Sequence, residues 1–343
     1  MNSDIIILTF IMNIIGDYNC FHKIGVGSSA NVYVAQHRLF DYPVAIKTML
    51  TDGNQNFASE MKIMKDLNHP NIATLYDVVE EEDRVSLVME YASNGSLQTR
   101  LPLKDEETIF KYFSQICDAI EYLHEVQNIV HRDLKFDNIL LDKYDHVKLV
   151  DFGLSKKCQE HLLETRCGSP LYSSPEIILS EKYDFKTDIW SLGIILYYMC
   201  FGYFPFYSEN IQQLFNQIIE QDIVFPEYPI NPLLLDLLSQ MLHKDASKRL
   251  NIKEIQTYPW YKGHNTNLVP LAHSSFIAKK KEPIQMVKKK SFLKLESNLF
   301  KKYSLPVYCF PRCPNTNIRK VPTQNLNLTN IKTKSLQNDH SIH

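Results

Sequence analysis

His131-Arg132-Asp133-Leu134-Lys135-Phe136-Asp137-Asn138, followed by Asp151-Phe152-Gly153, sets two carboxylates (Asp133 and Asp151), a lysine and an asparagine along one short reach of chain. Phosphoryl transfer from a metal-bound nucleotide needs that set: a group to orient the attacking hydroxyl, a cation to neutralise developing charge, and hard oxygen ligands for the metal. Either half alone recurs by chance as polar residues in surface turns. The 13 positions from Asn138 to Asp151 give the two halves joint weight.

Upstream lies Ile24-Gly25-Val26-Gly27-Ser28-Ser29-Ala30-Asn31-Val32. Gly25 and Gly27 would let backbone N–H groups approach phosphates with no side chain between, and Ala30 stands where a G-x-G-x-x-G loop has its third glycine. Such a loop alone is as readily a tight turn, and Lys47, in Val44-Ala45-Ile46-Lys47, is alone an ordinary solvated strand lysine. Taken together, these motifs resemble the eukaryotic-type serine/threonine protein kinases over residues 18–261. Lys135 points to the serine/threonine kind, since tyrosine kinases usually carry an alanine-arginine pattern in this loop. Cys167-Gly168-Ser169-Pro170-Leu171-Tyr172 and the run from Asp188 to Tyr197 look most like the calmodulin-dependent/AMP-activated-like or Unc-51-like groups.

The resemblance implies an α+β, two-lobed fold: a small β-rich lobe with one key helix, and a large, mainly helical lobe. It implies ATP and Mg2+, with Asp133 orienting the substrate hydroxyl, Lys135 offsetting charge on the transferred group, and Asn138 and Asp151 holding the metal. Lys47 would contact the α- and β-phosphates, held by Glu60. Met89 is the gatekeeper position, Glu90 and Ala92 the backbone contacts to adenine, and Val32, Ala45 and Leu140 the residues that sandwich it. Met64, Leu75, His131 and Phe152 would stack as the spine of the active state. Glu176 would pair with Arg249, Asp188 would anchor the catalytic loop, and Ser169 would bond to Asp133 and Lys135. Thr165 sits where calmodulin-dependent-like kinases place an activating phosphate, which implies an upstream kinase and a phosphate–Arg132 pair. Arginine-directed kinases often carry glutamates where this chain has Ser96 and Tyr198; with Asp137 the only acid left there, a weak requirement for arginine upstream of the target is expected.

Local patterns agree with two lobes. β-type residues flank the glycine turn from Tyr18 to Val34, and Tyr42–Met49, Thr74–Val79 and Arg84–Glu90 read as strands. Phe57–Leu67 has helical spacing and stops at Asn68-His69-Pro70-Asn71. After Asn94-Gly95 helices take over: Glu106–Glu125 is amphipathic, with Ile109, Phe113, Ile116, Ile120 and Leu123 on one face, and Asp188–Met199 is apolar nearly all round.

Charge divides the chain. Residues from Lys262 onward carry 15 Lys/Arg against 3 Asp/Glu, while the net charge of all 343 residues is −2, so an acidic body precedes a basic tail. Residues 262–343 read as a largely disordered tail. Its triplets Lys279–Lys281 and Lys288–Lys290, with Met286, Leu293 and Leu299 at 1-8-14 spacing, would suit a calmodulin-type acidic groove, an anionic membrane surface, a nuclear import receptor or the kinase's own acidic body; a solvated, functionless run is the plain alternative. Sequence-specific nucleic-acid binding is not expected. Residues 1–17 form an apolar extension in which Ile5–Ile15 is too short to span a membrane and lacks the basic flank of a signal peptide. A strand, a packing segment or a mis-assigned start would account for it. Seven dispersed cysteines with no C-x-x-C pair suit reduced thiols in a soluble cytoplasmic or nuclear protein. Two other functions compete: a pseudokinase scaffold, opposed by the intact Lys47, Asp133, Asn138 and Asp151, and a kinase-fold enzyme of small molecules, disfavoured by the full activation segment and Ser169.

Overall fold

The computed structural model describes residues 13–26, 30–50, 55–103, 105–158, 163, 168–226, 230–265 and 318–320. The first lobe is an antiparallel sheet of β1 (Asn13–Ile15), β2 (Tyr18–Val26), β3 (Ala30–His37), β4 (Pro43–Leu50), β5 (Leu75–Glu80) and β6 (Arg84–Glu90), in the order β1-β2-β3-β4-β6-β5. α1 (Gln55–Asp66) connects β4 to the turn before β5. One face of the sheet buries Ile15, Cys20, Ala35, Val44, Ile46 and Val88 as a compact cluster, which the alternating apolar positions of the strands dictate. The carboxyl-terminal end of the apolar amino-terminal run therefore works as a strand: Asn13↔Cys20, Ile14↔Asn19 and Ile15↔Tyr18 are paired across the Gly16-Asp17 turn. Its upstream part, Ile5 to Met12, lies outside the described residues.

The second lobe is built around α2 (Glu106–Glu121) and, later in the chain, α4 (Lys186–Phe201). Asp105 caps α2 by accepting from the Thr108 amide, and Glu106 and Glu107 in its first turn favour the positive end of the helix dipole. Ile109, Phe113, Ile116, Ile120 and Leu123 are all buried, but the α-helix ends at Glu121 and the chain continues as a π-turn, Tyr122–Val126. The Tyr122 hydroxyl accepts from the Asn68 amide at 3.0 Å, and its ring stacks on His69, so the wider turn serves a contact with the other lobe. Between the two long helices come β7 (Ile129–Val130), β8 (Ile139–Leu141), β9 (Val147–Leu149), β10 (Lys156–Lys157) and the short α3 (Pro175–Ile178). β8 and β9 form a hairpin, and β10 pairs with β7.

α4 is buried on every side, with Trp190, Leu192, Ile195 and Leu196 fully enclosed, and it ends on Gly202 at φ +77°, the left-handed cap that glycine adopts without cost. α5 (Ile211–Glu220), β11 (Val224–Pro226), α6 (Pro232–Met241), α7 (Ile252–Thr257) and α8 (Pro259–Asn265) complete the lobe. β11 pairs with β12 (Ile318–Lys320); of the region read as a tail, these residues and Lys262–Asn265 at the end of α8 are described. The lysine triplets, Cys309 and Cys313 lie outside the described residues, as do Gly27, Ser28, Ser29, Thr165 and Cys167.

Candidate active site

The start of the loop His131–Asn138 is held by Asp188, at the start of α4. Its carboxylate, 1% exposed, accepts from the amides of His131 (2.8 Å) and Arg132 (2.9 Å) and bonds His124 Nε2 (2.9 Å). Burial alone would raise its pKa; His124 and the backbone donors reverse that and hold it below the usual carboxylate value. Arg132 is thereby kept at φ +68°, and Asp151 stands at +63°, conformations that non-glycine residues occupy only where surroundings impose them. His131, fully buried, lays its ring on Phe152 at 5.1 Å between centroids, and burial pushes its pKa down. Met64 is also buried and Leu75 packs on the same core.

Asp133 is the hub of the cleft. Its Oδ1 accepts from Ser169 Oγ at 3.0 Å, and its Oδ2 accepts from Lys135 Nζ at 2.6 Å and Asn138 Nδ2 at 3.2 Å. Lys135 Nζ also donates to Ser169 Oγ at 3.1 Å. Ser169 can reach this position because Gly168 precedes it at φ +96°; a Cβ there would sit 2.7 Å from the Arg132 carbonyl oxygen. The Arg132 guanidinium donates to the Leu154 carbonyl and to the Tyr183 hydroxyl.

Across the cleft, Lys47 Nζ lies 2.6 Å from Glu60 Oε1 and 2.8 Å from Asp151 Oδ1. Burial pulls the Lys47 pKa down, but the two carboxylates outweigh it and raise the value above that of an ordinary lysine. The two carboxylates respond differently: burial holds Glu60 up against the pull of Lys47, whereas for the more open Asp151 the lysine prevails and lowers the pKa. The 13-residue span from Lys47 to Glu60 is thus closed by a direct contact.

Asn138 and Asp151 fit a hard divalent cation. Asn138 gives its Nδ2 to the Asp133 carbonyl (2.9 Å) and carboxylate, so Oδ1 is the atom left to coordinate. Among the described residues no group of three or more His, Cys, Asp and Glu could hold a metal unaided. Two protein oxygens completed by phosphate and water are what Mg2+ accepts.

The other expected residues that the structure describes fall on the strands, hairpin and helices as follows. Gly25 faces Val32 in the β2–β3 register, Ile24 is exposed, and Asn31 pairs with Val26; Ala30 begins β3. Ala45 is opposite Met89 in the β4–β6 ladder, and both are buried, as is Ala92. Leu140 lies on β8 opposite Lys148. Ser96 donates its hydroxyl to the Phe136 carbonyl, and Tyr198 packs against Phe136 at 5.3 Å. Glu176 and Arg249 form a buried bidentate pair at 2.7 and 3.0 Å. Two contacts escaped the sequence reading. Lys148 Nζ reaches Glu90 Oε1 at 2.7 Å, and Tyr183 braces Arg132. No spacing rule announces either, because each depends on how hairpins and loops register across the fold.

A family profile described as Protein kinase domain matches residues 18–261. The chain belongs to the protein kinase family. Among curated proteins, the kinase is 36% identical over 264 residues to the SNF1-related protein kinase catalytic subunit alpha KIN12 of Arabidopsis thaliana, covering 74% of this chain and 53% of that one. It is 34% identical over 263 residues to CBL-interacting protein kinase 11 of Oryza sativa, covering 73% of this chain and 52% of that one. It is 36% identical over 254 residues to the maternal embryonic leucine zipper kinase of Xenopus tropicalis, covering 71% of this chain and 39% of that one. The kinase therefore spans about half the length, or less, of these relatives. Of the two groups that its motifs resemble, they place it with the calmodulin-dependent/AMP-activated-like one. Among the described residues, no helix is long and apolar enough to cross a membrane.

Proposed function

We propose that this kinase transfers the γ-phosphoryl group of ATP to serine and threonine hydroxyls of proteins. The observation that carries the reading is the Asp133–Lys135–Ser169–Asn138 cluster, facing a Lys47–Glu60 pair across one cleft. Asp133 orients the substrate hydroxyl and receives its proton as the oxygen–phosphorus bond forms; the bond to the β-phosphate oxygen breaks and ADP departs. Lys135 sits beside that carboxylate and offsets charge on the transferred group, already oriented before the reaction begins. Lys47, fixed by Glu60, meets the α- and β-phosphates. Asn138 and Asp151 would hold Mg2+, which neutralises the phosphate oxygens when bound.

The finer reading is that phosphorylation of Thr165 by an upstream kinase raises activity. Arg132 supports it: the guanidinium stands one residue before Asp133, with its Nη1 and Nε tied to Tyr183 and Leu154, so a phosphate drawn to it would steady the loop next to the catalytic aspartate. Phosphoamino-acid analysis of a generic protein substrate, incubated with labelled ATP and Mg2+, tests the proposal. Phosphoserine and phosphothreonine are expected. Label found only in phosphotyrosine or in small molecules would refute it, as would no transfer even by protein phosphorylated at Thr165.

A further inference from the structure

Two close ion pairs between the lobes come from one four-residue stretch, Lys148 to Asp151. At its end Asp151 meets Lys47 at 2.8 Å, and at its start Lys148 meets Glu90 at 2.7 Å. Lys157–Asp66, a third crossing at 3.8 Å, is longer and has both side chains open to solvent, 43% and 54% exposed. The Lys148 and Glu90 side chains are only 11% and 20% exposed, so solvent screens their attraction weakly.

Each partner is held firmly on its own side. Glu90 closes β6; its amide donates to the Thr74 carbonyl at 2.8 Å, and its second carboxylate oxygen accepts from the Thr74 amide at 3.3 Å. Lys148 is the middle residue of β9, opposite Leu140 in the hairpin. The flanking residues are stitched to the turn after α1: Leu149 donates to Asn71 O at 2.8 Å, Ala73 to Leu149 O at 2.9 Å, and Asn71 Nδ2 to Val147 O at 3.0 Å. The neighbouring titratable groups are His69, pushed down to about 4 by burial and by Lys148, and Tyr76, pushed up to about 12 by burial and by Glu90. Neither carries charge at neutral pH, so Lys148 and Glu90 face each other with no competing ion among these neighbours.

From this geometry we infer that Lys148 is a positioning residue for the adenine nucleotide. It fixes Glu90, and with it the backbone of residues 90–92, against the hairpin that carries Leu140. The inference rests on the nucleotide site proposed above. Lys148 itself touches neither base nor phosphate in that account; it acts through Glu90.

The test compares wild type, Lys148→Met and Lys148→Arg in the full chain, by calorimetric binding of ADP and by the ATP dependence of phosphate transfer. Losing a coupling of this kind raises Kd for ADP and KM for ATP roughly 5-fold or more. The account expects that rise in Lys148→Met, with kcat and the peptide KM within about twofold of wild type, and near-normal values in Lys148→Arg. Should Lys148→Met not fold, the exchanged pair Glu90→Lys/Lys148→Glu serves instead, with tighter ADP binding expected than for either single variant. Unchanged ADP affinity in Lys148→Met, a fall in kcat with KM unaltered, or an exchanged pair no better than its singles would overturn the inference. Wild type that binds no ADP at all would instead refute the nucleotide site on which it rests.

Discussion

Replacing Glu176 by glutamine should strip this kinase of a large share of its stability although the side-chain shape is kept. Glu176 and Arg249 are buried, with side chains 6% and 0% exposed. The guanidinium gives two hydrogen bonds to the carboxylate, at 2.7 and 3.0 Å, one to the Lys186 carbonyl at 2.7 Å and one to the His243 carbonyl at 3.1 Å, and it lies 5.2 Å from the Trp190 ring centroid. Glutamine offers one carbonyl acceptor and no charge, so the arginine stays buried without its counter-ion. Removing one partner of a buried pair costs about 3–5 kcal/mol. For a domain of this size each kcal/mol moves Tm by about 2–4 °C, so a fall of roughly 6–20 °C is expected. The assay is thermal and urea unfolding of wild type, Glu176→Gln, Arg249→Met and the double variant. The double variant should lose less than the sum of the singles, by about 2–3 kcal/mol, since the second change removes the charge the first has stranded. A Glu176→Gln loss below about 1 kcal/mol, or additive singles, would refute the reasoning.

Other consequences follow from the same geometry. Lys47→Met should lower kcat by about 10²–10³, the loss typical of one preorganised electrostatic donor, in single-turnover transfer with a native circular-dichroism spectrum; a kcat within threefold of wild type would contradict the role given to the Glu60–Lys47–Asp151 contacts. His69 is pushed down to about 4 from 6.5, chiefly by burial. Because its folded pKa lies below its unfolded one, the folded state binds fewer protons between those values, and its contribution to stability is complete above pH 6.5 and lost as pH falls toward 4. Tm measured across that window should therefore decline less steeply in His69→Phe, which keeps a ring on Tyr122; parallel curves would sink the argument. On a peptide array, the Ser hydroxyl at position 96 committed to Phe136 and the Tyr198 ring in place of an acid predict only a weak preference for arginine upstream of the target, and a dominant arginine at the third upstream position would contradict it.

How much of this was legible in the sequence depends on how local each cause is. Asp133, Lys135 and Asn138 lie within six residues, and the short turn that joins them fixes their mutual distances, so their convergence could be read from spacing. Lys47 and Glu60 were readable as a strand lysine and a helix glutamate, since strand and helix periodicity both survive in the chain. The extent of α2 was not. Its apolar spacing runs unbroken through Leu123, yet the helix widens at Tyr122, where the hydroxyl takes the Asn68 amide in a contact 54 positions away. The Lys148–Glu90 bond was hidden for the same reason: it needs the β8–β9 hairpin to be set against the end of β6, and a lysine between two buried apolar residues looks like an ordinary alternating strand. The strand at Asn13–Ile15 stood as one of several readings of an apolar run, and only its pairing with Tyr18–Cys20 singles it out.

The central claim is tested most directly at Asp133. Phosphate transfer from labelled ATP with Mg2+ to a protein substrate should be measured for wild type and Asp133→Asn, with ADP binding followed in both. The account predicts transfer by wild type, a loss of about 10²-fold or more in Asp133→Asn, and ADP affinity nearly unchanged, because the carboxylate acts on the substrate hydroxyl and not on the nucleotide. Transfer that survives in Asp133→Asn would contradict it.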